Sequence, residues 1–188
     1  MFDPQRHILS YIPDSESKIE MYFAGDGGLS DATSIGCYVV TAPCRTSLNY
    51  TVLLGGIIPG RILELQKQCR YRPVKSAAAL SYCRQLTGMR ESSIKIDPAC
   101  KALRAEFDLL GYYTDRADNN ARDIKGARKG IEVGIEYLQS SISDGRFYLV
   151  ENDRFGHLDF LKEIGMYCVD NNGNPVDAYN HAMDETRY

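Results

Sequence analysis

The chain predicts an α/β fold, a mixed five-stranded sheet whose first three strands are antiparallel, flanked by helices on both faces. Three observations predict it. Apolar, β-branched runs at residues 18–24, 35–41 and 49–58 follow one another with only short polar turns between them, which is an antiparallel start. Beyond residue 60 the pattern alternates between helical spacing and two further short apolar runs, at 93–97 and 147–150. A sheet with helices on both sides is the economical way to bury such an order of elements.

The elements follow in sequence. After a polar entry containing Pro13 and Asp14, the first strand carries Met21, Phe23 and Ala24 into Gly25-Asp26-Gly27-Gly28, which places a carboxylate at a strand end among residues with almost no side-chain bulk. The second strand alternates poorly and so reads as buried on both faces, and the third stops at Pro59-Gly60. Residues 61–88 are helical in composition, with Pro73 dividing them into two pieces. The fourth strand, S-I-K-I-D, again ends in an acid, Asp97. Pro98 then suits the first turn of a helix over 99–110, and Gly111 ends it. Ile131, Ile135 and Leu138 mark a helix within 124–141, residues 147–150 a strand, and 157–164 a short helix. N-N-G-N-P at 171–175 is a turn, and a last helix covers 176–187.

With 188 residues, 44% of them apolar, the chain is long enough for one domain with a sizeable core and too short for two comfortable ones, so a single domain over 1–188 is expected. A formal charge of -3 excludes a globally basic nucleic-acid binder while leaving room for local patches. Between Arg61 and Arg90 seven bases face one acid, whereas Glu151 to Tyr188 holds eight acids and three bases. A basic wall opposite an acidic centre and ordinary solvated faces both produce this asymmetry. The six cysteines, 37, 44, 69, 83, 100 and 168, include no C-x-x-C pair, and read as reduced thiols, mostly buried, of an intracellular protein rather than as disulfides or a zinc site. The polar opening is no signal peptide, and no apolar run approaches the roughly 20 residues that span a bilayer, so no membrane is expected.

Chemistry concentrates in three places. Asp26 ends the first strand, Asp97 ends the fourth, and the last helix offers His181 and Asp184, which at i and i+3 share a helical face. If that helix packs across the strand ends, three acids and an imidazole converge. Carboxylates so close repel and raise one another's pKa, and such an oxygen-rich set suits Mg²⁺ or Mn²⁺. Two such ions, about 3.5–4 Å apart, can activate a water and stabilise the leaving oxygen of a phosphodiester. Each residue also has a plainer role open to it. Asp26 can bond its own loop, Asp97 can cap the helix that follows, His181 can be a surface histidine, and Asp184 can pair with a neighbouring arginine. Arg122, Lys125 and Arg128 or Lys129 recur every three or four residues as a stripe able to neutralise phosphates, with residues 61–90 as a second candidate.

The ending N-P-V-D-A-Y-N-H-A-M-D-E-T-R-Y, residues 174–188, resembles the close of the nuclease domain of tailed-bacteriophage terminase large subunits, whose last helix reads His, small, apolar, Asp, x, x, Arg-Tyr. G-D-G-G-L-S-D-A-T-S-I-G resembles the same family's first strand and loop, and I-K-I-D-P-A-C-K-A-L-R-A-E-F the segment with its second acid. The resemblance runs in order from about residue 19 to 188 and implies an RNase H-like fold. It implies a metal-dependent endonuclease cutting double-stranded viral DNA concatemers in the host cytoplasm during packaging, with two Mg²⁺ or Mn²⁺ ions. Asp26, Asp97 and Asp184 would be metal ligands, and His181 a further ligand or proton-transfer aid. Asp31 matches the family's Asp-x-Thr, but Ala32 stands where proline is usual, leaving loop support as its expected part. Partners implied are the portal protein, the small terminase subunit and an ATPase motor domain. No G-x-x-x-x-G-K-[ST] occurs here, the nearest stretch being G-A-R-K-G at 126–130, so the motor is expected outside this chain.

Other functions compete. A junction resolvase or RNA–DNA hybrid nuclease shares the acid pattern. An actin-like ATP-binding protein shares Asp-Gly-Gly followed by Asp31 and Thr33, but the required second Asp-x-Gly loop is missing after Ser93. A non-catalytic module docking on a portal or other partner is the last alternative.

Overall fold

A computed structural model describes residues 2–10, 16–27, 33–43, 50–57, 80–81, 84–85, 87–118, 130–150, 158–168, 170–171, 175–176 and 180–188. The elements are α1 (Pro4–His7), β1 (Ile8–Leu9), β2 (Glu16–Asp26), β3 (Ser34–Pro43), β4 (Tyr50–Ile57), β5 (Ile94–Ile96), α2 (Lys101–Leu109), β6 (Asp115–Arg116), α3 (Ile131–Ser143), β7 (Phe147–Val150), α4 (Leu158–Met166) and α5 (His181–Arg187). Residues 80, 81, 84, 85 and 87 are also helical. Most of the expected helix over 61–88, and residues 124–129 at the start of the next, lie outside the described residues.

Among the described residues the sheet has seven strands, in the order β1-β7-β4-β3-β2-β5-β6, where five are expected. The central five are those expected, and β2, β3 and β4 pair antiparallel as foreseen. The additions, β1 beside β7 and β6 beside β5, are two-residue edge strands, too short to display a period. β5 and β7 join in parallel to β2 and β4, so the sheet is mixed.

Both faces are covered. On one, Met21, Phe23, Ile35, Cys37, Ile94 and Ile96 pack under Leu103 and Phe107 of α2. On the other, Ala24, Tyr38, Phe147 and Leu149 meet Ile142 of α3, Phe160 of α4, and Ala182 and Met183 of α5. The alternation of Phe23 with Ala24 and Cys37 with Tyr38 between faces is the period of two of a strand buried on both sides. Each fully buried Phe or Leu contributes about 1.5–3 kcal/mol against exposure, so these layers fix where the strands end.

Two local stops shape the ends. α2 closes at Gly111, whose φ of +80° suits glycine, and Tyr112 N–H returns to Phe107 O at 3.0 Å. The polar opening forms α1, with Asp3 accepting from Gln5 N–H at 3.0 Å. Buried His7 then ties it to α3 through Nε2 and Ile142 O, 3.1 Å apart. The last helix begins at His181 rather than 176, and Asn180 at its N-cap is not helical.

Candidate active site

The parallel pairing of β2 with β5 builds the site. Gly25 registers with Ile96, and Asp97 N–H donates to Gly25 O at 3.0 Å, so the following residues, Asp26 and Asp97, emerge side by side at the carboxyl ends of adjacent strands. Topology therefore joins two acids 71 positions apart in the sequence. Asp26, Asp97 and Cys100 each present a ligand atom within 4.8 Å of the others. Asp97 serves two ends at once, because its Oδ1 accepts Ala99 N–H at 2.8 Å in a turn-forming bond while its Oδ2 faces the Tyr188 hydroxyl at 3.2 Å.

α5 brings the rest. His181 Nδ1 lies 3.2 Å from Asp26 Oδ2, and Tyr188 Oη lies 3.4 Å from Asp26 Oδ1. Asp184 stands in the same neighbourhood but outside the group of close ligand atoms. Its Oδ1 accepts from Arg187 Nη2 at 2.9 Å and its Oδ2 from Asn180 Nδ2 at 3.0 Å. Burial pushes the Asp184 carboxyl above the ordinary carboxylate range; the Arg187 guanidinium opposes this, and the Asp26 charge adds to it. Asp184 and Asp26 thus feel one another, while Arg187 is the partner that Asp184 holds.

The donor set fits a hard divalent cation. Two carboxylates converge at adjoining strand ends, and oxygen ligands of this kind suit such ions. The Cys100 thiol instead donates to Gly27 O at 2.7 Å, and burial, with the nearby charges of Asp97 and Asp26, pushes it up to about 11. A protonated thiol is a poor ligand for Mg²⁺ or Mn²⁺. Burial and the charges of Asp26 and Asp97 drive the Tyr188 phenol well above its ordinary 10, so it stays a hydrogen-bond donor to them.

Sequence reasoning missed the supports. Glu163 of α4 receives Ala182 N–H at 2.6 Å and Met183 N–H at 3.3 Å, satisfying the exposed amides at the start of α5 and placing a negative charge at its positive end. Glu185 is buried against β3, taking bonds from Tyr38 Oη and, at 2.7 Å, from Ser34 Oγ. Burial pushes its carboxyl up to about 8 despite those bonds. Gly36 makes this possible, since a Cβ there would come within 2.8 Å of Glu185 Cδ. Cys100, three residues after Asp97, and Tyr188 are letters of the motifs, but nothing in their spacing gives them contacts. Asp31, Arg122, Lys125, Arg128 and Lys129 lie outside the described residues, as do most of 61–90. Of that basic stretch Arg84 is bonded to Glu91, with Nε 2.7 Å from Oε2.

No protein-family model and no curated protein matches the chain. Solved structures do. Over 100% of its length it is similar to the large terminase of a thermophilic bacteriophage in complex with ADP, at a TM-score of 0.70 and 16% identity, covering 42% of that chain. Over 100% of its length it is also similar to the P22 large terminase nuclease domain, at a TM-score of 0.67 and 16% identity, covering 87% of that chain. The chain has the fold of a phage large-terminase nuclease domain. It spans less than half the length of the thermophilic-phage protein and most of the P22 domain. At this identity the likeness is one of fold, and the chemistry rests on the side chains just described. Among the described residues no helix is long and apolar enough to cross a membrane.

Proposed function

We propose that the chain is a single nuclease domain of a phage large terminase, a metal-dependent endonuclease that cuts double-stranded DNA concatemers during genome packaging. The observation that carries this reading is the emergence of Asp26 and Asp97 side by side from neighbouring parallel strands, with His181 of α5 at Asp26, in a chain with the terminase nuclease fold. Asp26 and Asp97 would hold Mg²⁺ or Mn²⁺, two ions in all, with Asp184 and His181 completing the donor set. Bound divalent ions supply a water that is acidic enough to attack near neutral pH and charge to stabilise the departing oxygen. The chain's own residues position that chemistry. Ala99 N–H and His181 fix the two carboxylates in orientation, and Glu163 fixes the start of the helix that carries His181.

Arg122, Lys125, Arg128 and Lys129 hold the phosphate backbone in this reading, and Asp31 supports the loop after β2. Phosphate contacts carry no base information, so sequence preference is low. A net charge of -3 leaves DNA binding by the domain alone weak and salt-sensitive, which suits a nuclease brought to its substrate by a portal, a small subunit and an ATPase motor in the host cytoplasm. The test is nicking of supercoiled plasmid in Mn²⁺, followed by equal amounts of linear duplex, RNA–DNA hybrid and four-way junction. Duplex cleavage that disappears in Asp26→Ala supports the reading. Preference for hybrid or junction moves the chain to another RNase H-like nuclease, and no cleavage of any substrate leaves the docking module.

A further inference from the structure

We propose that the Tyr188 hydroxyl is a reversible stopper of the acid pair, holding the two carboxylate oxygens that a shared divalent cation would take and so setting how much free cation the site needs. The proposal rests on the reading of Asp26 and Asp97 as cation ligands. Its ground is the partnering of the four oxygens of the pair. Asp26 Oδ2 faces His181 Nδ1 at 3.2 Å, and Asp97 Oδ1 accepts Ala99 N–H at 2.8 Å. The other two, Asp26 Oδ1 and Asp97 Oδ2, lie 3.4 and 3.2 Å from the same hydroxyl.

A hydroxyl has one proton, so it cannot donate fully to both acids. Both distances exceed the usual O–H···O separation of about 2.7–2.8 Å, which marks a shared and weak donor. It eases the repulsion of the free pair without matching what a dication does. Mg²⁺ binds oxygen at about 2.0–2.1 Å, so an ion shared by Asp26 Oδ1 and Asp97 Oδ2 would sit where the hydroxyl now reaches both, and the two compete for the same oxygens. The fold keeps the hydroxyl in place. Tyr188 N–H closes α5 on Glu185 O at 3.2 Å, the Arg187 guanidinium lies 5.5 Å from its ring centre, and the ring packs on the cluster containing Ala182 and Met183.

The experiment titrates Mn²⁺ into the full 188-residue chain by calorimetry and follows thermal unfolding with and without Mn²⁺, for the parent, Tyr188→Phe and Asp26→Ala. The phenylalanine variant is expected to bind Mn²⁺ about tenfold more tightly, the worth of one hydrogen bond to a charged group. It should melt lower than the parent when free, and the gap should close when Mn²⁺ saturates both. Weaker Mn²⁺ binding in Tyr188→Phe overturns the proposal, because the hydroxyl would then assist the ion. Unchanged affinity with an equal loss of stability in free and loaded protein also overturns it, because the ring would then only pack. Mn²⁺ binding that survives Asp26→Ala removes the cation-site reading together with the proposal, whereas Asp26-dependent binding indifferent to Tyr188→Phe removes the proposal alone.

Discussion

Two pairs of carboxylates meet at α5, and the chain treats them in opposite ways. Glu163 and Glu185 are only 6% and 2% exposed, and their oxygens are taken up by backbone amides at the helix start and by the hydroxyls of Ser34 and Tyr38. Asp26 and Asp97 are half-buried at the strand ends, sharing one phenol and leaning on a histidine whose charge depends on pH. Glu163 Oε2 and both Glu185 oxygens already accept hydrogen bonds from the fold, which leaves them less to offer a ligand. A carboxylate that is half-buried at a strand end and held by a shared donor is the better placed of the two kinds to take a cation. The difference separates acids that hold the helix from acids that would do chemistry, though three of the four lie around the seven-residue helix that carries the fourth.

The largest effect that can break this division is on cleavage. Asp26→Ala and Asp97→Ala are each expected to lower Mn²⁺-dependent plasmid nicking by on the order of 10³-fold, as loss of an essential group in an active site does. Thermal unfolding of the metal-free variants should differ from the parent by no more than about 1 kcal/mol, since relief of the repulsion between neighbouring charges offsets the lost bonds to Tyr188, His181 and Ala99. Full nicking by either variant would place the chemistry elsewhere.

Glu185→Ala is the converse. It leaves the Ser34 and Tyr38 hydroxyls without their acceptor in the core, Tyr38 keeping only Thr186 Oγ1 at 3.0 Å. At about 1–3 kcal/mol for each stranded group, urea unfolding should register a loss of about 2–4 kcal/mol. Nicking by the fraction that remains folded should be close to normal. If nicking vanishes while stability holds, Glu185 belongs with the reacting acids and the two pairs are not distinct.

The same contrast explains what could be read from the letters alone. Asp26 and Asp97 were legible because each follows an apolar strand and precedes a turn, and strand ends are where a sheet presents polar groups. His181 was legible through its place on a helical face. The seven-stranded extent of the sheet was not, because β1 and β6 contribute two residues each and owe their pairing to neighbours fixed elsewhere. Glu163 could not be assigned either, since a cap donated from another helix leaves no local pattern. Glu185 and Gly36 form one feature split across 149 positions: the glycine in β3 reads as an ordinary strand residue until the glutamate arrives over it. Asp184 and Asp97 do fill the plainer roles open to them, as Asp184 pairs with Arg187 and Asp97 bonds the turn before α2.

A third setting sharpens the scale between the two pairs. Glu91 meets Arg84 near the surface, where the arginine side chain is 35% exposed, and the Arg84 guanidinium holds the Glu91 carboxyl below its ordinary 4.5. The folded chain therefore binds fewer protons at Glu91 than the unfolded chain does over that range. The resulting stability is fully present above about pH 4.5 and is lost as pH falls through the lower, folded-state value. Solvent screening limits it to about 0.5–1 kcal/mol. Glu91→Gln should remove that increment at pH 7, flatten the acid limb of stability against pH by the same amount, and differ less from the parent in 1 M salt, where the Debye length falls to about 3 Å. A loss beyond about 2 kcal/mol that is indifferent to salt would rank this pair with Glu185 and Glu163 as a buried support, and would mean that burial rather than exposure governs every acid outside the strand ends.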